Sequence, residues 1–312
     1  MARGGGARRL YRLHGPAPRR QGKHRGQPGR FGPRLHARLD SGILYKRPRL
    51  AGHAANEASI PVSQPAPKNV SLFVTCVVDQ FYPEVGESAV RVLRRHGVDV
   101  DFDADQTCCG QPAFNTGYWK EARPLAERFL DMYEGIDHIV MPSGSCASMV
   151  RVFYKELFHD DPALLEKAAD VGSRVFELSE FLVDVLRVED EPETVPSDKP
   201  TRVTYHEACH LRRELGATTQ ARSLINSTPG VELVEMEQSE VCCGFGGTFA
   251  VKYADISGAM LDEKITHIRN SGADAVVACD VTCLMHIGGG LEKQGIPVHP
   301  MHLAELLDKG TS

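Results

Sequence analysis

No stretch of the 312-residue chain approaches the ~18 consecutive apolar residues of a membrane-spanning helix. A helical membrane span is therefore excluded. No secretory apolar segment follows the N-terminal arginines. There is no Walker lysine spacing, no Gly-x-Gly-x-x-Gly behind a first strand and no Ser-His-Asp signature, so nucleotide-binding loops and serine-type hydrolysis have no support. There is no Cys-x-x-Cys pair either. Tryptophan is reduced to Trp119, which opens a helical stretch and reads as packing.

Positive charge is scarce once the N-terminus is set aside. Residues 1–69 carry fifteen Lys and Arg against two acids, so the net charge of −5 leaves residues 70–312 at about −18. An acidic body excludes nucleic acid as a partner of the folded part. The stretch 1–68 is rich in Arg, Gly and Pro and has no hydrophobic period, so it is expected to be a disordered tail. Arg8-Arg9-Leu10-Tyr11 and Arg19-Arg20 faintly suggest targeting, but the sequence around them does not support it.

The chain does have cysteines, nine of them. Cys108-Cys109-Gly110 in one half matches Cys242-Cys243-Gly244 in the other. Cys76 precedes the first pair with 31 residues between, and Cys146 follows it with 36 between. Cys209 precedes the second pair with 32 between, and Cys283 follows it with 39 between. Two matching sets of four soft sulfur donors read as two iron–sulfur sites, each with the thiolates that one [4Fe–4S] cluster takes. A disulfide between adjacent cysteines would force a strained ring. The odd count, the vicinal pairs and the missing secretory segment point to reduced, metal-bound thiols in the cytoplasm. Glycine after each pair permits positive φ, which turns backbone N–H groups toward an anionic centre.

Around these cysteines, short apolar runs alternate with helical patterns. Strands are expected near 70–75, 98–102, 137–141 and 174–177, then near 202–205, 231–236 and 274–278. Helices are expected at Glu87–His96, Lys120–Tyr133 and Ser179–Leu186. The segment 298–307 mirrors 177–186, and the period of about 134 residues indicates a duplicated domain. The fold class is α/β: two tandem cysteine-rich domains with parallel sheets, over residues 69–190 and 199–312, joined by an acidic linker from Glu189 to Pro200. Ligands of such sheets gather beyond the carboxyl ends of the strands, where every cysteine of the two sets falls.

Phe73-Val74-Thr75-Cys76, Phe81-Tyr82-Pro83-Glu84-Val85-Gly86, Cys108-Cys109-Gly110-Gln111-Pro112-Ala113-Phe114-Asn115 and Cys242-Cys243-Gly244-Phe245-Gly246-Gly247-Thr248-Phe249 carry a specific resemblance over residues 70–312. The chain resembles the lactate utilisation protein A family. That family belongs to the "CCG" cysteine-rich iron–sulfur proteins, related to the cysteine-rich component of the heterodisulfide reductases and to the iron–sulfur component of glycolate oxidase. The resemblance implies a cytoplasmic electron-transferring subunit of a complex that oxidises L-lactate to pyruvate, with a sister iron–sulfur protein and a third subunit as partners. Glycolate or another 2-hydroxy acid is a rival substrate, and thiol–disulfide reduction of the heterodisulfide type a rival activity. The broader family pattern ends each half in Cys-x-x-Cys. Here Ser143 and Asp280 stand at the first of those positions. Cys279 is adjacent, as either a fifth ligand or a buried thiol.

Other patterns compete for attention. Four thiolates also suit structural zinc, although zinc ligands usually come as close Cys-x2-Cys pairs. His206-Glu207-Ala208-Cys209-His210 satisfies the His-Glu-x-x-His zinc-peptidase pattern, but His206 follows a strand directly, and that motif needs a helix. His206 and His210 are instead expected beside the cluster of the second half. His138 and His286 are candidates to tune a cluster through hydrogen bonds.

Overall fold

A computed structural model of the chain describes residues 66–188 and 200–310. The tail expected over 1–68 and the linker expected from Glu189 to Pro200 lie outside that range, apart from their last residues. Most of the apolar runs form strands shorter than their sequence suggests, because the chain leaves the sheet early to present a loop at its edge. In the first half β1 (Asn69–Leu72), β2 (Asp99–Asp101), β3 (Ile139–Met141) and β4 (Val175–Glu177) pair in the order β2-β1-β3-β4. In the second, β5 (Thr201–Tyr205), β6 (Val231–Leu233), β7 (Ala275–Ala278) and β8 (His299–His302) pair as β6-β5-β7-β8. Every pairing is parallel. The same order in both sheets is the duplication expressed in space. Pro300 sits in edge strand β8, where its missing N–H costs no central ladder bond.

The helices follow the periodic patterns with shifted ends. The first long helix begins at Pro83 rather than Glu87, since proline at the first position has its φ preset and has no N–H to leave unpaired. It buries Val85, Ala89, Val92 and Leu93. Helices Trp119–Met132 and Ala254–Ser271 stand at corresponding places in the two halves. A short helix, Cys76–Phe81, has no counterpart among the sequence expectations. The segment expected as helix Ser179–Leu186 is a single turn, Leu178–Glu180, followed by a π-helical turn, Phe181–Val185.

The two halves share one core. Leu72, Leu178, Phe181 and Leu182 of the first pack with Val203, Tyr205, Val277 and Leu303 of the second in one buried cluster. Full burial of each such side chain contributes about 1.5–3 kcal/mol. Helix Leu303–Lys309 lies on helix Pro83–Arg95, where Arg91 Nε reaches Asp308 at 2.7 Å. Arg91 is half exposed, so this pair adds at most about 1 kcal/mol.

The mirrored segments are alike at atomic detail. Glu177 and His302 each close a strand and open a capping box, with Glu180 and Glu305 bonding back to their backbone N–H groups at 3.1 and 2.9 Å. Burial pushes the Glu177 carboxyl up to about 8, against the stabilising bonds from Ser179. A carboxyl raised on folding holds its proton more tightly in the native state. Its contribution is therefore full below the unfolded value of 4.5 and is lost as pH rises through about 8. Stability should fall by a few kcal/mol between about pH 5 and pH 8.5, and Glu177→Gln should flatten that fall. Thermal unfolding of both proteins across this range checks it, and equal slopes would refute the assignment.

Candidate metal centre

Each of the two sheets directs its loops to one edge. Cys76 follows β1, Cys108 and Cys109 follow β2, and Cys146 follows β3; Cys209, Cys242 with Cys243, and Cys283 follow β5, β6 and β7 in the same way. The outer strands β4 and β8 end in the capping boxes and carry no cysteine. In both sheets the chain switches direction beside the first strand, which is where loops diverge and leave a crevice.

At the first site the sulfurs meet in pairs. Cys76 and Cys108 are 3.6 Å apart, and Cys109 and Cys146 are 3.3 Å apart. Gly110 takes φ +85° and donates its N–H to the Cys108 sulfur at 3.4 Å. Tyr154 donates to the Cys109 carbonyl at 2.9 Å, which fixes the turn between the paired cysteines. Hydrogen bonds from Cys109 and Cys76 hold Cys108 far below the usual thiol range. The same contacts, with burial, push Cys76 and Cys109 up.

The second site repeats the pattern. Gly244, at φ +90°, donates to the Cys242 sulfur at 3.4 Å. Cys209 and Cys243 hold Cys242 low, while Cys209 and Cys243 are themselves pushed up. Cys283 is raised by burial, despite the opposing bond with Cys243. One nitrogen of His206 and the sulfurs of Cys243 and Cys283 lie within 4.8 Å of one another. A cavity of about 410 Å³ opens over this site, with Gln111 and Asn115 of the first half facing Cys209, His210, Cys242 and Thr248. Thr116 and Thr248 bridge the two halves at 2.8 Å beside it.

The residues therefore suit the group their chemistry calls for. Four sulfurs this close can all ionise only around a cation, because each thiolate raises its neighbours. Among the described residues all nine cysteines are free thiols.

The remaining candidates separate. Cys279 is fully buried and its sulfur lies 3.7 Å from the Tyr205 hydroxyl. His138 precedes β3, at the end of the strand opposite the cysteines, and packs against Phe176 and Phe181. The expectation that it tunes a cluster is corrected. His286 does reach the site: Ser257 donates to the Gly244 carbonyl at 2.8 Å, so its oxygen accepts from His286 at 3.2 Å. His210 Nδ1 lies 3.7 Å from the Cys209 sulfur. Glu207 is buried between Arg212 at 2.8 Å and Arg222 at 3.4 Å and follows a strand, so it is an ion-pair partner and not a peptidase base. Trp119 stacks on Phe114 at 5.1 Å, as packing.

Ser143 and Asp280 take a role that the sequence reading did not assign. Ser143 caps helix Gly144–Ser148, accepting from the Cys146 N–H at 3.3 Å, and Asp280 caps helix Val281–Lys293. Asp280 also crosses between halves, accepting from the Ser145 N–H at 2.9 Å and from Ser143 Oγ at 3.2 Å. Their position just before a helical run was the available signal.

A methyl group at Gly244 would meet the Ser257 carbonyl at 2.8 Å, and one at Gly110 the Ala122 carbonyl at 3.2 Å. Both also require positive φ. Gly244→Ala should cost about 1–3 kcal/mol, more than Gly110→Ala, and should lower metal retention at the second site. Denaturant unfolding alongside metal analysis tests this, and equal, negligible costs would contradict it.

The cysteine-rich domain family, CCG, matches residues 70–151 and 203–288. Lactate utilization protein A of Halalkalibacterium halodurans is 44% identical over 239 residues, covering 77% of this chain and 96% of that protein. Its namesake in Geobacillus kaustophilus is 46% identical over 239 residues, covering 77% of this chain and 98% of that protein. A hypothetical protein from Helicobacter pylori of known structure overlaps with a TM-score of 0.49 at 13% identity, over 78% of this chain and 49% of that one, so this chain spans about half of that structure's length. On its two matching repeats and on its relatives, the chain belongs to the lactate utilization protein A family of CCG cysteine-rich domain proteins.

Proposed function

We propose that this chain is the iron–sulfur electron-transfer subunit of a cytoplasmic multi-protein system that oxidises L-lactate to pyruvate. The observation that carries this reading is the pair of four-thiol sites, each gathered from three loops at one sheet edge. Cys76, Cys108, Cys109 and Cys146 would hold one cluster, and Cys209, Cys242, Cys243 and Cys283 the other. A bound cluster would supply storage and release of single electrons. The chain's own part is to neutralise and shield that charge. Gly110 and Gly244 direct N–H dipoles at Cys108 and Cys242, and burial of Cys109, Cys146, Cys243 and Cys283 keeps water from one side of each site.

The lactate-binding residues would lie in a partner, a sister iron–sulfur protein or a third subunit. Exposed Val251 and Tyr253 follow Thr248 of the cavity lining, with Lys252 over the ring of exposed Tyr118, and offer those partners an apolar contact. Among the described residues no helix is long and apolar enough to cross a membrane.

The cavity over the second site favours one further reading, in which a small sulfur compound reacts there directly. Against it, Ser143 and Asp280 serve as helix caps where a fifth sulfur would stand.

The chain, loaded anaerobically with iron and sulfide and mixed with anaerobic extract of lactate-grown cells, should lose its visible iron–sulfur absorption on addition of L-lactate. Cys109→Ser and Cys243→Ser should each remove part of the iron and abolish that response. Bleaching by glycolate alone would reassign the substrate. A response to neither acid, but to a disulfide added after reduction, would favour the second reading.

A further inference from the structure

The two sites share a backbone but are walled by opposite chemistry. The Phe73 N–H donates to the Val140 carbonyl at 2.9 Å, and the His206 N–H to the Val277 carbonyl at 2.8 Å. Cys76 and Cys209 each stand three residues further on. Phe73 and His206 are thus the same position of the repeat. The glycine contacts fix a second register, Ala122 against Ser257, so that seven residues later Phe129 corresponds to Lys264.

In the first half these positions form an apolar wall. The rings of Phe73 and Phe129 meet edge-on at 5.2 Å, Phe129 meets Tyr154 at 5.8 Å, and all three join Cys109 and Cys146 in one buried cluster. In the second half an imidazole and an ammonium replace the two phenyl rings, with His206 fully buried and Lys264 1% exposed. Buried polar groups of this kind cost about 1–3 kcal/mol each unless they are bonded. Lys264 meets that requirement by donating to the carbonyls of Gln238 at 2.6 Å and Ser239 at 3.1 Å.

His206 does not. Neither of its ring nitrogens has a hydrogen-bond partner, and neither neighbouring sulfur accepts from it. Buried polar side chains that only pack are as a rule bonded. This one instead holds a nitrogen within 4.8 Å of the Cys243 and Cys283 sulfurs, a spacing that three donors around one metal ion adopt.

We propose that His206 ligates the metal centre of the second site through one ring nitrogen beside Cys243 and Cys283, taking the place of one of the other two thiolates there, so that the chain carries two chemically unlike clusters. The first is held by thiolates behind a phenyl wall. The second has a neutral imidazole in its donor set and the Lys264 ammonium nearby, both of which make it less negative and raise its reduction potential above that of the first. This assignment rests on the iron–sulfur reading above.

The test uses the full chain, labelled with ¹⁵N-histidine, loaded anaerobically with iron and sulfide and reduced with dithionite. Pulsed EPR should show a strongly coupled histidine nitrogen on one of two paramagnetic centres. The coupling should persist in His210→Asn and disappear in His206→Asn and in His206→Phe, the residue of the first half. In a redox titration, His206→Cys should lower the upper of two midpoints and leave the lower unchanged. Two iron-bearing centres without a strongly coupled nitrogen in the unaltered protein, or a coupling that survives His206→Asn, would overturn the ligation and leave the iron–sulfur reading standing. Failure of the unaltered protein to retain iron and sulfide would overturn both.

Discussion

The buried carboxylate of Asp280 ties together the parts that make both sites. One oxygen caps the helix that carries Cys283, and the other accepts from the Ser145 N–H and the Ser143 hydroxyl, at the start of the helix that carries Cys146. Burial alone would raise this carboxyl, but the bonds from Ser145 and Thr282 outweigh it and hold the group below its ordinary value. A charge held this way, with donors from both halves, sets the spacing of the third cysteine helix in each repeat. The shared core of Leu178, Phe181, Tyr205 and Leu303 then supplies the bulk of the adhesion, without such directional control.

Duplication accounts for the similarity of the two sites, and divergence for their difference. Strand order, glycine geometry and the pairing of low and raised thiols recur in both halves. What changed is the wall of each site, where Phe73, Ala122 and Phe129 correspond to His206, Ser257 and Lys264. A cluster's potential responds to the donors, charges and hydrogen bonds that such a wall supplies. The cavity also belongs to the second site, between Gln111 and Asn115 of one half and His210 and Thr248 of the other.

Much of this is legible in the residues alone. The alternation of apolar runs with helical periods marks seven of the strand positions, and the mirrored segment 298–307 contains the eighth, because parallel strands buried on both faces read as continuous apolar runs. The grouping of the eight cysteines follows from spacing alone. His138 stands at the start of the strand that leads to Cys146, so the carboxyl-end rule already set it opposite the cysteines. Two things are less visible. Helix Cys76–Phe81 is six residues long and follows a strand directly, too short to show a helical period. The roles of Asp280 and His206 depend on what lies across the interface or behind the loop, and one residue of sequence carries no record of its partners in space.

The central claim is that the chain holds two iron–sulfur centres, one in each half. Mössbauer spectroscopy with sulfide analysis on anaerobically purified, ⁵⁷Fe-loaded protein tests it directly. The account predicts about eight irons per chain with matching sulfide, in two distinguishable sets of spectral components. Zinc in place of iron, or iron confined to a single set that survives removal of the cysteines of either half, would contradict it.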